Sequence, residues 1–158
     1  MIETATSSSV ASNDLANHAP EFAVDGLISN TQYGFFMTDR LKYSWLDLHL
    51  ATPKRLIGIK ITSRTDMYID GIRKMEIRAG MDPASGTMAL LTHNEKVGYY
   101  EGSAAQGETF TIMFDKTLLA KYVSIQLTYR LAGLNYGWLW VNEAVLIKGS
   151  KNLNPDQS

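Results

Sequence analysis

The chain has 158 residues, no cysteine, and 15 basic against 16 acidic side chains, for a net charge of −1. That length suits one domain with its own core. The absent cysteines exclude disulfides, thiolate metal sites and cysteine nucleophiles, and the scattered, balanced charge argues against a cationic nucleic-acid surface.

From the N-terminus, Met1-Ile2-Glu3-Thr4 lacks the basic start and apolar stretch of a signal peptide. No apolar run approaches the ~18 residues of a membrane helix. Ala11 to Phe22 offers a short turn of helix. Asp25-Gly26 then marks a tight turn, with glycine free to take positive φ. Such a turn can wrap backbone carbonyls and a carboxylate around a hard cation such as Ca²⁺ if a second carboxylate joins it. Glu143 is the candidate. The plainer alternative is an ordinary turn and an exposed glutamate.

Strand signals dominate the rest. Runs rich in β-branched and aromatic residues span Trp45 to Leu50, Leu56 to Thr62, Lys74 to Arg78, Thr109 to Phe114, Tyr122 to Leu127 and Trp138 to Ile147. Turn residues separate them, including Thr52-Pro53, Asp70-Gly71 and Asp82-Pro83. Thr117 to Lys121 reads as a second short turn of helix. This spacing predicts an all-β fold, an antiparallel β-sandwich. Trp45, Ile59, Ile61, Ile77, Phe114, Val123, Ile125 and Val145 are the expected core. Residues 1–149 form the domain, and the polar segment 150–158 is a tail.

The second strand delivers Arg64 and Asp66, one residue apart, where it runs into a loop. Residues i and i+2 of an extended chain share a face. The acid can therefore orient the guanidinium while the guanidinium donates outward, open to water, to the hydroxyls of a sugar. The alternative is a surface ion pair worth little. Phe35-Phe36-Met37, Met67-Tyr68 and Leu134 to Trp138 fall in loops. If they cluster, they mark an interaction surface, although Phe35 and Trp138 can equally turn inward and cap the core. Catalysis finds little support. His18, His49 and His93 lack metal-ligand spacing, there is no Gly-x-Ser-x-Gly elbow, and no enzyme is expected.

Four segments together resemble the discoidin-like (coagulation-factor type C) domains, and among them the F-type lectins, or fucolectins. They are Ala5 to Ser8 leading to Ala23-Val24-Asp25-Gly26; Trp45-Leu46-Asp47-Leu48; Ile59 to Asp66 with Met75-Glu76-Ile77-Arg78-Ala79-Gly80; and Lys121 to Ser124 with Val141 to Gly149. The resemblance implies a jelly-roll sandwich of the galactose-binding-domain kind, a fucose-type glycan site and a structural Ca²⁺. Arg64 matches the family's sugar-binding arginine and Asp66 its orienting acid. Asp25 matches a calcium ligand, Phe22 and Leu27 would add backbone carbonyls, and Glu143 matches the C-terminal carboxylate.

Departures are also clear. Phe35 to Arg40 stands where the family's histidine should fall, Gly71 stands near the place of a second basic residue, and Met67-Tyr68 replaces adjacent cysteines. Asp39, Arg40, Asp70 and Arg73 are polar substitutes, and Tyr68 offers a face for pyranose stacking. The resemblance therefore implies a glycan site of altered specificity or one that has been lost. Glycans or glycoproteins are the expected partners, in an oligomer or multidomain parent. The expected setting is extracellular, with a cytosolic one compatible with the composition. The alternative is a protein- or membrane-binding domain using aromatic loops, with no sugar site.

Overall fold

A computed structural model describes residues 1–65, 72–87, 89–102, 104–128 and 138–150. Its strands, in chain order, are β1 (Ile2–Ser7), β2 (Phe36–Met37), β3 (Trp45–Thr62), β4 (Met75–Gly80), β5 (Glu95–Tyr100), β6 (Thr109–Leu127), β7 (Trp140–Val141) and β8 (Glu143–Lys148). The Ala11–Phe22 region forms three small pieces: 3-10 turns at Ala11–Asn13 and Pro20–Ala23, and a single helical turn, α1, at Leu15–His18. Ser12 and Asn13 both take positive φ, 53° and 54°, which breaks any longer helix.

Every strand pairing is antiparallel, and the long partners β3 and β6 organise the fold. The first half of β3 lies between β1 and the second half of β6, with Leu48 opposite Ala5 and Val123. Its second half lies between β8 and the first half of β6, with Ile59 opposite Leu146 and Ile112. The pair folds over, so Leu46, Leu48 and Leu50 from one half meet Ile59 and Ile61 from the other in a common core. The protein is thus an antiparallel β-sandwich, as the strand pattern predicts.

Three local expectations change. Thr52-Pro53 does not end a strand, because β3 runs through it. Its register slips between His49 and Lys54, and that irregular stretch accommodates a residue with no N–H to donate. Thr117 to Lys121 is strand, not helix. Leu118, Leu119 and Ala120 pair with Leu56, Arg55 and Lys54, so tertiary pairing overrides local propensity. The expected strand Trp138 to Ile147 is two strands divided at Asn142. The Asn142 N–H donates to the Thr62 carbonyl (2.9 Å), and its side chain exchanges two 2.9 Å bonds with the backbone of Ser29.

The expected core holds except at two places. Val145 is 50% exposed, because Ala144 and Leu146 take the inward positions of β8. Trp45 is buried, but on the outer face of its sheet, where its indole N–H donates to the Gly86 carbonyl (3.1 Å). Asp47 and Gln126 accept the amides of Ala84 and Leu91. Ala84, Gly86 and Leu91 are therefore held over that face by side-chain bonds. Asp47 is fully buried there, and burial first of all raises its pKa against the opposing pull of the Ala84 amide and of His49 and His93.

Candidate functional site

A two-stranded ribbon closes one end of the sandwich. Phe36 pairs with Val141 and Met37 with Trp140. The ribbon continues by one pair, with the Thr38 N–H donating to the Leu139 carbonyl (2.9 Å) and the Leu139 N–H to Thr38 Oγ1 (3.0 Å). Phe36, Thr38, Leu139 and Val141 are all 0% exposed. Alternation then sends Met37, Trp138 and Trp140 to the opposite face. There they line a cleft of about 340 Å³ together with Arg40 and Arg64.

Arg64 reaches this cleft from the end of β3. Its carbonyl accepts the Gly107 N–H (2.8 Å), and the preceding Ser63 bonds through its backbone and hydroxyl to Glu108 and Ala105. Its guanidinium carbon lies 4.8 Å from the centre of the Phe35 ring and 5.2 Å from that of Trp140, with Nη1 3.9 Å from the Met37 sulfur. Phe35 is supported from beneath by the edge of His18, 5.0 Å away, whose Nδ1 pairs with the Phe35 carbonyl. Arg40 stands over Trp138 at 4.6 Å, and the two indoles are 6.1 Å apart at 37°.

Two of the six expected sugar-binding residues, Arg40 and Arg64, therefore meet in one cleft. Arg64 is only 8% exposed, so it packs against rings as well as facing the cleft, rather than standing in open water. Asp39 directs a carboxylate oxygen to the Ser12 N–H (2.8 Å), and neither it nor Arg73 lines the cleft. Asp66 and Tyr68 lie outside the described residues, as do Met67, Asp70, Gly71 and the 134–136 segment. Phe35 and Phe36 are wholly buried, so Phe35 turns inward as its core-capping reading expected, and Phe36 is not an exposed loop aromatic. Trp140 was not anticipated. The signal was the alternation Trp138-Leu139-Trp140-Val141, which puts both indoles on one face once a strand partner is known.

At the edge of β8, the Leu27 N–H donates to Asp25 Oδ1 (2.9 Å) and the Gly26 N–H to Glu143 Oε2 (3.2 Å). Gly26 takes φ +79°, which brings its amide to the glutamate without the strain that a Cβ brings. Glu143 is pushed up to about 7, first by burial and then by the negative charge of Asp25. Two facing carboxylates that resist joint ionisation are a donor set suited to a hard cation. Among the described residues no three or more histidine, aspartate or glutamate side chains gather to hold a metal. Backbone carbonyls such as those of Phe22 and Leu27, with water, would have to complete the shell.

The folded-over β3–β6 pair, with its cleft at one end, defines a galactose-binding-like β-sandwich. Residues 4–142 match the family model of the F5/8 type C domain, and the chain belongs to that family. No curated protein sequence gives a significant match. Among solved structures, a fucolectin from striped bass (Morone saxatilis) serum aligns with TM-score 0.75 at 23% identity. That alignment covers 91% of this chain and 46% of the fucolectin, so the chain spans less than half of that lectin's length. The lectin domain of lectinolysin complexed with Lewis B antigen aligns at 0.70 with 16% identity, covering 94% of each chain. A Streptococcus pneumoniae fucose binding module aligns at 0.68 with 19% identity, covering 93% of this chain and 92% of that one. These similar folds are lectins and sugar-binding modules; at these identities the likeness establishes the fold.

Proposed function

We propose that this F5/8 type C domain is a carbohydrate-binding module without catalytic activity, working in an extracellular setting. The observation that carries the reading is the cleft in which Arg64 is held by Phe35, Trp140 and Met37 beside Trp138 and Arg40. A fixed guanidinium supplies directional donors, and an indole edge or face covers the C–H surface of a pyranose and excludes water. The similar folds include lectins and modules whose names state sugar ligands. Whether the ligand is fucosylated is set by contacts that this chain does not share with the fucolectin pattern at Phe35–Arg40 and Gly71.

A Ca²⁺ held by Asp25 and Glu143, with carbonyls of Phe22 and Leu27, would stiffen the loop next to β8. Weak monovalent sugar contacts favour multivalent presentation, in an oligomer or a longer chain. The membrane- or protein-binding alternative is weakened by the burial of Phe35 and Phe36, which removes two of its apolar contacts. A glycan array run with Ca²⁺ and with chelator tests the proposal. The expected outcome is selective glycan binding that is lost in Arg64→Ala. Binding to liposomes or a protein partner, with no glycan bound, refutes it.

A further inference from the structure

Resting on the glycan reading, we infer that the Arg64 cleft selects acidic sugars, meaning pyranoses that carry a carboxylate or a sulfate ester, over neutral ones. The argument is an inventory of hydrogen-bonding groups. The described lining side chains are Met37, Arg40, Arg64, Trp138 and Trp140. Arginine and the indole N–H only donate, and a thioether accepts weakly. A neutral sugar hydroxyl brings a proton that needs an acceptor. Burying it without one costs the desolvation of that group. A carboxylate or sulfate brings oxygens that only accept, which suits the donors that these described side chains present.

Geometry supports the same choice. Arg40 and Arg64 are each held over an indole, at 4.6 Å and 5.2 Å. A cation–π contact engages the charge and leaves the N–H donors to oxygen partners. A guanidinium carries five donors, so each can bond to neighbouring protein groups and to a ligand at once. Asp39, beside Arg40, sends a carboxylate oxygen to the Ser12 amide.

The test is titration calorimetry with pairs of oligosaccharides that differ only in the acid group: sialylated against asialo, uronic against neutral hexose, and sulfated against unsulfated galactose. The expected result is about a tenfold preference for the acidic member, shrinking in roughly 0.5 M salt. The exposed Arg40 is then changed. Arg40→Gln is expected to cut the preference by about fivefold, and Arg40→Lys to retain part of it, with the melting temperature checking the fold. Equal or tighter binding of the neutral members overturns the inference while leaving glycan binding intact. So does a preference that is unchanged in Arg40→Gln. Failure of every sugar, acidic or neutral, overturns the glycan reading as well. The three pairs separate carboxylate from sulfate as the recognised group.

Discussion

Glu143 gives the sharpest quantitative test of the Asp25–Glu143 turn. Its ordinary value is 4.5, and burial together with Asp25 holds it at about 7 in the folded chain. A carboxyl raised in the folded state contributes stability that is complete below pH 4.5 and lost as pH rises through 7. Water reaches this half-buried group, so the full linkage is discounted to roughly 1–2 kcal/mol. For a domain of this size that amounts to about 2–8 °C in melting temperature. In chelator, the wild-type melting temperature should therefore fall between pH 5 and pH 8 relative to Glu143→Gln, which has no proton to lose there. Calcium should reverse the slope, because its carboxylate ligands must be deprotonated before it binds. At about a hundredfold excess over its dissociation constant it would add about 2.7 kcal/mol. Thermal melts by circular dichroism of both proteins, with Ca²⁺ and with chelator across that range, decide the matter. Parallel wild-type and Glu143→Gln profiles in chelator would refute the electrostatic account. A calcium shift equally large at pH 5 and pH 8 would refute the assignment of Glu143 as a ligand.

Further outcomes follow from neighbouring features. Arg64→Ala removes contacts to Phe35 and Trp140, each worth about 0.5–2 kcal/mol, so a lowered denaturation midpoint should accompany lost glycan binding; a midpoint shift near zero would contradict the packing described. Thr38→Val keeps the shape but strands the buried Leu139 N–H, at about 1–3 kcal/mol, and urea unfolding measures it. Asp47 is fully buried with Oδ1 unpartnered, and its raised pKa means that its contribution to stability is lost as pH rises through the folded value. Asp47→Asn should therefore gain on wild type at alkaline pH, with the gap closing as pH falls towards the ordinary aspartate range; a gap independent of pH would show that the carboxylate is charged at no cost.

Much of the sandwich was legible because its central strands alternate. Ile59 and Ile61 point inward and Lys60 outward, as period two requires. The edges were less legible. β1 is a short strand with two threonines that gains its identity only by pairing with Leu46–Leu50, and β5 carries Glu95 and Lys96 in exposed positions. Thr117–Lys121 shows the converse failure, since Leu118, Leu119 and Ala120 have good helix propensity and are strand only because β3 lies beside them.

The same distinction explains how much of the site could be read. Arg64 was visible because a strand end in sequence is a strand end in space. The wall opposite it was not, because Trp140 joins Met37 across more than a hundred residues, and nothing local says that the chain changes partners at Asn142. That change is a backbone event: the Asn142 side chain takes both the carbonyl and the amide of Ser29, which frees Trp140 and Val141 to pair with β2 and leaves Glu143 at the mouth of the Asp25 turn. One asparagine thus sets the positions of both the indole wall and the second carboxylate. Its replacement by leucine, close in size but without either bond, should impair glycan binding and any calcium response together. Loss of one with the other intact, measured by titration and by melting, would show that the cleft and the turn are built independently.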